Sequence, residues 1–281
     1  MNAASIVMRR SALPLNALVG VILLMLIGLL ALVSLVYAPY DPLTLDFEAR
    51  LAAPSAAHWL GTDEFGRDVF SRIMAAAATS AVVSTLTVTV ALICGTLLGG
   101  VPAYFGGWFD RAATVFIDAL MSLPALLLAL GIMAAVGPVR WGVVIALGIA
   151  YTPTVARVVR SQVLSLRARE FVEASRVLGN STLYTLVRHV APNCVTPLTV
   201  IATAIFGNAL LAETALSFLG LGVPPPAPTW GGMMADGRDY LANAPWICLF
   251  PGLAVSLALL GVNLAGDALR DRLDPRLHRG A

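Results

Sequence analysis

Long apolar runs separated by short polar ones set the pattern of this chain. An uncharged run over 17–36 holds fourteen Leu, Ile and Val residues; at about −0.4 kcal/mol each, they favour insertion into a bilayer by roughly 6 kcal/mol. Further runs fall at 75–100, 112–136, 141–157, 194–215 and 246–266. Each reaches at least the roughly 17 residues with which a helix can cross a hydrocarbon core about 30 Å thick. The pattern therefore predicts an all-α integral membrane protein with six transmembrane helices. Residues 1–16 form a polar terminus and 268–281 a charged tail. Segment 37–76 reads as irregular, because Pro39, Pro42 and Pro54 forbid one continuous helix. The first helix and this segment read as an appendage to a five-helix unit over 77–267. A cleaved signal peptide is the rival reading of 17–36, since Val36-x-Ala38 resembles a cleavage site. The run exceeds a typical signal core, and Pro39 directly after the cut disfavours cleavage, so a retained helix is expected.

Two polar stretches break this pattern in informative ways. The first, 63–73, places Asp63 and Arg67, then Asp68 and Arg72, four residues apart. Phe65, Val69 and Ile73 fall on the opposite side, which predicts a short interfacial helix leading into the second span. The second, REFVEASRVLGNSTLYTLVRHVAPN over 169–193, is the longest charged segment between two apolar ones. Its first helix has Glu170, Glu173 and Arg176 on one face and Phe171, Ala174 and Leu178 on another. Gly179-Asn180 offers a left-handed stop, Ser181 a cap for a second helix, and Pro192 a limit to that helix. A compact helix pair between spans is a shape for docking another protein.

Composition sharpens this picture. Apolar residues make up 58% of the chain and charged ones 12%, about half the share found in soluble proteins. All 18 basic residues are Arg. A phosphate-binding loop of the Walker type needs Lys, so the chain is not by itself such an ATPase. A net charge of +2 points to no nucleic-acid partner. Cys94, Cys194 and Cys248 lie in or beside apolar runs and read as small buried hydrophobes; three scattered His make no metal cluster. With the N-terminus inside, the inner segments hold 13 Arg and the outer ones Arg50, Arg67, Arg72, Arg140 and Arg238. That asymmetry places both termini and the 160–193 loop in the cytoplasm. The five Trp fall at predicted membrane boundaries, as an aromatic belt would have them.

The 169–193 stretch resembles the cytoplasmic loop of ABC-importer permeases, whose pattern is Glu-Ala-Ala, three residues, Gly, nine residues, Ile-x-Leu-Pro. Glu173, Ala174, Gly179 and Pro192 match at the right spacing; Ser175, His189 and Ala191 depart from it. Three further stretches narrow the resemblance: HWLGTDEFGRDVFSR before the second span, AETALSFLGLGVPPPAPTWGGMMADGR from Ala212, and NLAGDALRDRLDPR from Asn263. They are similar to the C-type permease subunit of the dipeptide, oligopeptide and nickel group. The resemblance implies a type I ABC importer permease fold in a bacterial inner membrane, a second permease subunit as heterodimer partner, and two ATP-binding subunits carrying ATP and Mg. It also implies an extracytoplasmic binding protein, and no catalysis or cofactor in this chain. Segment 170–178 would then act as a lever moved by the ATPases, with Arg169, Glu170, Glu173, Ala174, Ser175, Gly179 and Pro192 forming the coupling loop. The cargo implied is a di- or oligopeptide, with nickel, haem or glutathione as alternatives.

Candidates for a polar path are Asp118, Asn208, Glu213 and Ser217, because intramembrane acids are functional by default. Asp118 and Glu213 sit near span ends, where water or an Arg can satisfy them. Asp63, Glu64, Asp68, Asp236 and Asp239 all fall outside in this topology and form an expected acidic surface for the binding protein. Two rival functions fit less well. An ion-coupled secondary transporter predicts buried charge pairs or inverted repeats. A membrane-embedded enzyme needs a nucleophile, base or metal set clustered at one depth.

Overall fold

The computed structural model describes residues 15–137, 139 and 141–273. The expectations for Arg9, Arg10, Arg140, Arg276 and Arg279, and for the side chain of Arg176, lie outside the described residues. The chain forms ten α-helices among these residues. They are α1 Leu15–Val33, α2 Val69–Phe105, α3 Gly107–Met121, α4 Ala125–Val136, α5 Gly142–Arg167, α6 Glu170–Val177, α7 Thr182–Thr185, α8 Ala191–Phe218, α9 Trp230–Gly237 and α10 Trp246–Leu273. Five are long and apolar enough to cross a membrane, and α3 with α4 makes a sixth, broken span.

Helix α2 starts at Val69, six residues before the expected 75, because Asp68 caps it: the Ser71 backbone N–H donates to Asp68 Oδ2 at 2.8 Å. At 37 residues it rises about 56 Å and overshoots the hydrocarbon at its ends. It packs along α5 in parallel, Gly95 against Thr152 and Val155 and Gly99 against the Ala156 backbone. This small-xxx-small spacing lets the two backbones approach closely, where lipid gives no hydrophobic drive to hold helices together.

The expected third span, 112–136, is two helices whose axes diverge by 86° around Ser122-Leu123-Pro124. Pro124 cannot continue α3, and with its fixed φ it precedes the first turn of α4. The second helix of the 169–193 stretch does not end at Pro192, as expected. A π turn over Leu186–Val190 joins α7 to α8, and the Ala191 N–H bonds Leu186 O five residues back. The widened turn absorbs a Pro that would clash with the carbonyl four residues earlier. Helix α10 likewise outruns its expected end at 266 and carries Asp267, Arg270, Asp271 and Arg272 on its last turns.

The first helix and the 37–68 segment pack against the rest of the bundle. Helix α1 runs antiparallel along α10, with Leu23 and Leu24 against Gly261. The segment is tied in by Trp246 Nε1, which donates to Thr62 O at 3.0 Å. Trp230 is no belt residue either. It is 2% exposed, lies among Val69, Ile73, Leu210 and Val255, and donates Nε1–H to Ile73 O at 3.2 Å. The bundle thus has two distinct ends. One carries 37–68, α9 and the Pro-rich loop; the other carries α6 and α7, where Arg167 Nη1 donates to Ala103 O at 2.8 Å.

Gly99→Val would drive its side chain into the Ala156 backbone, an overpacking that costs typically 1–3 kcal/mol or more. The expected result is a lowered thermal midpoint in detergent, read by fluorescence size-exclusion. Gly107→Ala, at a glycine with nothing within 4 Å of its missing side chain but positive φ, should cost less.

Candidate coupling loop and membrane polar groups

The α6–α7 pair is held by one buried polar knot. Ser175 is 4% exposed and its Oγ lies 3.0 Å from Thr185 Oγ1, with Thr185 fully buried. Asn180 adds two bonds to the same residue, Nδ2 to Ser175 Oγ at 3.2 Å and backbone N–H to Ser175 O at 3.2 Å. Ser175 is thus more than a substitute for Ala, since its hydroxyl fastens one helix to the other. Gly179 turns the chain with φ +79°, a conformation that disfavours any residue with a Cβ. The Ser181 side chain caps α7 by accepting from the Tyr184 N–H at 3.2 Å. His189 packs between aromatic rings, 5.9 Å from Tyr184 and 6.4 Å from Phe171.

The inward anchor of α6 is Val172 with Ser175, while Phe171, Ala174 and Leu178 are all exposed. Arg169, Glu170 and Glu173 are exposed as well. Among the described residues the Glu173 carboxylate has no hydrogen-bond or ion-pair partner, so any charged bond it makes lies outside the chain's described residues. Val177 (82%), Leu178 (79%) and Leu183 (69%) stand out beside these charges. Exposed apolar patches with a polar rim occur at protein–protein and membrane contacts.

Inside the bundle the polar candidates separate. Glu213 is completely buried and accepts hydrogen bonds from Ser80 Oγ (3.1 Å) and Ser217 Oγ (2.8 Å). Glu213 therefore ties α8 to α2 through Ser80, and Ser217 satisfies its other oxygen within α8. Asn208 is exposed, and its backbone carbonyl accepts from Tyr151 Oη at 3.1 Å. Asp118 is paired with Arg157 Nη2 at 2.7 Å. One turn along α5, Arg160 grips Asp110 with two bonds of 2.8 Å. Neither Arg157 nor the Asp110–Arg160 pair was singled out in the sequence. An Arg three residues from another, late in a span, was the available signal, but its partners lie some 40 to 50 residues away.

At the other end the expected acidic surface is mostly interior. Asp63 (3% exposed) accepts from the Phe65 and Arg67 N–H groups, from Arg67 Nε (2.6 Å) and from Arg72 Nη1 (2.5 Å). Asp68 (3%) caps α2 and lies 3.0 Å from His58 Nδ1. Glu64 (8%) accepts from Arg67 Nη2 at 3.1 Å. The four-residue spacing serves a tight loop and not a helix: Thr62 bridges Asp68, and the Asp63 N–H bonds Arg67 O. Arg72 pairs with Asp63 because Asp68 is committed to the cap. Only Asp236 and Asp239 of the five remain substantially exposed, at 46% and 77% of their side chains. Among the described residues no group of three or more His, Cys, Asp or Glu is placed to hold a metal ion.

Residues 91–279, from the middle of α2 through the docking loop and α10, match the family described as binding-protein-dependent transport system inner membrane component. The chain belongs to this family. The permease is 43% identical over 266 residues to the dipeptide transport system permease protein DppC of Alkalihalophilus pseudofirmus, covering 93% of this chain and 86% of that protein. It is 43% identical over 259 residues to a peptide transport system permease protein of Brucella suis, with 92% and 87% covered. It is 40% identical over 258 residues to the nickel transport system permease protein NikC of Escherichia coli, with 92% and 93% covered. A type I ABC permease fold and a multi-pass membrane location follow.

Two predictions concern the permease's cap. Asp63→Ala leaves two buried guanidinium groups without their shared carboxylate, a loss of about 3–5 kcal/mol, whereas Asp239→Asn should change stability by under about 0.5 kcal/mol. Thermal melts of both in detergent check the contrast. Burial pushes the Glu64 carboxyl above the ordinary carboxylate range. Its protonated form is then favoured by folding, so its contribution is full below the unfolded value and is lost as pH rises through the folded one. Glu64→Gln cannot ionise and should flatten the fall in thermal midpoint from about pH 4 to pH 8. A slope equal to that of the wild type would contradict this.

Proposed function

We propose that this permease forms half of the translocation path of an ATP-driven importer for di- or oligopeptides. A second permease completes the path, two ATP-binding subunits carry ATP and Mg, and an extracytoplasmic protein delivers the cargo. The chain itself catalyses nothing and holds no cofactor. Both termini and the α6–α7 loop face the cytoplasm, by the excess of Arg on that side. The single observation that carries the reading is the loop surface: Glu170 and Glu173 beside the exposed Val177, Leu178 and Leu183, on a helix pair tied at Ser175 and Thr185. That surface is rigid, amphipathic and unoccupied by the permease's own described residues, as a lever driven by another subunit requires. The peptide assignment draws on the named cargo of the DppC and Brucella suis relatives. Nickel is the second reading, since NikC matches at nearly the same identity.

Gly179→Val and Glu173→Ala test the coupling. Both positions are exposed, so each variant should insert and pair with the partner permease at wild-type levels. Uptake of radiolabelled dipeptide and co-purification of the ATPase subunits should both fall by about tenfold or more, in Glu173→Ala from losing a charged hydrogen bond worth roughly 1.5–3 kcal/mol and in Gly179→Val from forcing a Cβ into a positive-φ turn. Normal uptake and normal co-purification in both variants would reduce the loop to a connector. Parallel uptake of labelled nickel by the wild-type complex decides between the two cargoes.

A further inference from the structure

Two Arg–Asp pairs join the same helices, α3 and α5, and differ in every respect that matters. Arg160 and Asp110 make two parallel bonds of 2.8 Å, with side chains only 29% and 13% exposed. That pair is bidentate and fastens α3 to α5. Arg157 and Asp118 share a single bond of 2.7 Å, and their side chains are 56% and 57% exposed. Among the described residues, Arg157 Nε and Nη1 and Asp118 Oδ2 have no partner. A guanidinium carries five N–H donors, so most of this group's bonding capacity faces away from the bundle.

The depth of this pair makes its exposure informative. Arg157 stands fifteen residues after the start of α5, or about 22 Å along it. Asp118 lies one turn before the break between α3 and α4. Helix α4 has 12 residues and rises only about 18 Å, short of the roughly 30 Å hydrocarbon core. The break, with Ser122, Leu123 and Pro124 all exposed, therefore falls at membrane depth. Open backbone at that depth is tolerated only against protein or a water-filled cavity, and outward-facing charges only against water or a counter-charge. Two independent features coincide here: a half-exposed ion pair and a broken helix. Lipid can cover neither of them at low cost. Covering the pair with a partner helix would strip water from two charges whose remaining bonds nothing completes.

From this we infer that Asp118 and Arg157 form a charged station on the wall of the translocation path, where Arg157 takes the carboxylate of a passing zwitterionic peptide and Asp118 its ammonium group. The forked guanidinium suits a carboxylate, and the single bond between the two residues is the one a zwitterion can exchange for two of its own. The inference rests on the peptide-importer reading and specifies the cargo's charge pattern.

The test uses the complete transporter with its binding protein in proteoliposomes, starting from a chain with Cys94, Cys194 and Cys248 replaced by Ala. ATP-driven uptake of labelled dialanine by that parent complex checks the importer reading by itself; failure there is a failure of that reading. Accessibility is measured independently of cargo. Asp118→Cys and Arg157→Cys should react with a membrane-impermeant, positively charged thiol reagent in the assembled complex, and react more slowly during turnover with excess dialanine. Arg157→Gln should lower dialanine uptake by about tenfold or more, while ATP hydrolysis stimulated by the loaded binding protein stays within about twofold. The double exchange Asp118→Arg with Arg157→Asp should restore subunit assembly to any single variant that loses it, but not uptake, because the two charges then meet the cargo in reverse order. Absence of labelling in the assembled complex, normal uptake by Arg157→Gln, or full uptake in the double exchange would each overturn the station.

Discussion

The close approach of α2 to α5 at Gly95 and Gly99 holds the rest of the permease in place. In a bilayer, helices gain little by hiding apolar surface from one another, so van der Waals contact between backbones has to do that work. Once α5 is seated on α2, its three Arg residues acquire fixed positions. Arg167 reaches the last turn of α2, Arg160 locks α3, and Arg157 is left facing outward with Asp118. The same long helix brings Ser80 against Glu213 of α8 and Ile73 against Trp230. A single packed pair thus supports both the polar ties within the membrane and the start of the docking loop.

Charge is handled differently at each level of the molecule. At the cap, one buried carboxylate, Asp63, accepts from two Arg residues where the sequence suggested an open acidic surface. Within the bundle, Glu213 is sealed by two serines. Glu170 and Glu173 on α6, and the Asp118–Arg157 pair at the break of the third span, are among the charges that face outward without completed bonding. In a low-dielectric setting an unsatisfied polar group is expensive, which sets the Asp118–Arg157 pair apart from the charges of the α6 surface. In the proposed reading the α6 surface receives force from an ATP-driven partner, and the ion pair meets the cargo.

The sequence by itself determined the membrane class, the six spans, the helix pair broken at Gly179 and the cap at Ser181. Each of these rests on local physics: hydrophobic length, backbone conformation, and a hydroxyl one turn from an open N–H. Only the tertiary structure decided which charges are structural. Asp63 and Asp68 look alike in sequence, yet one gathers Arg67 and Arg72 while the other caps α2. Pro192 looks like a stop, but a π turn carries the helix through it. Glu213 and Asp118 are both acids near span ends, and one is sealed while the other is half-exposed. Their fates depend on Ser80 and Arg157, which lie 133 and 39 residues away along the chain. No local pattern encodes such a meeting; helix packing brings the partners together.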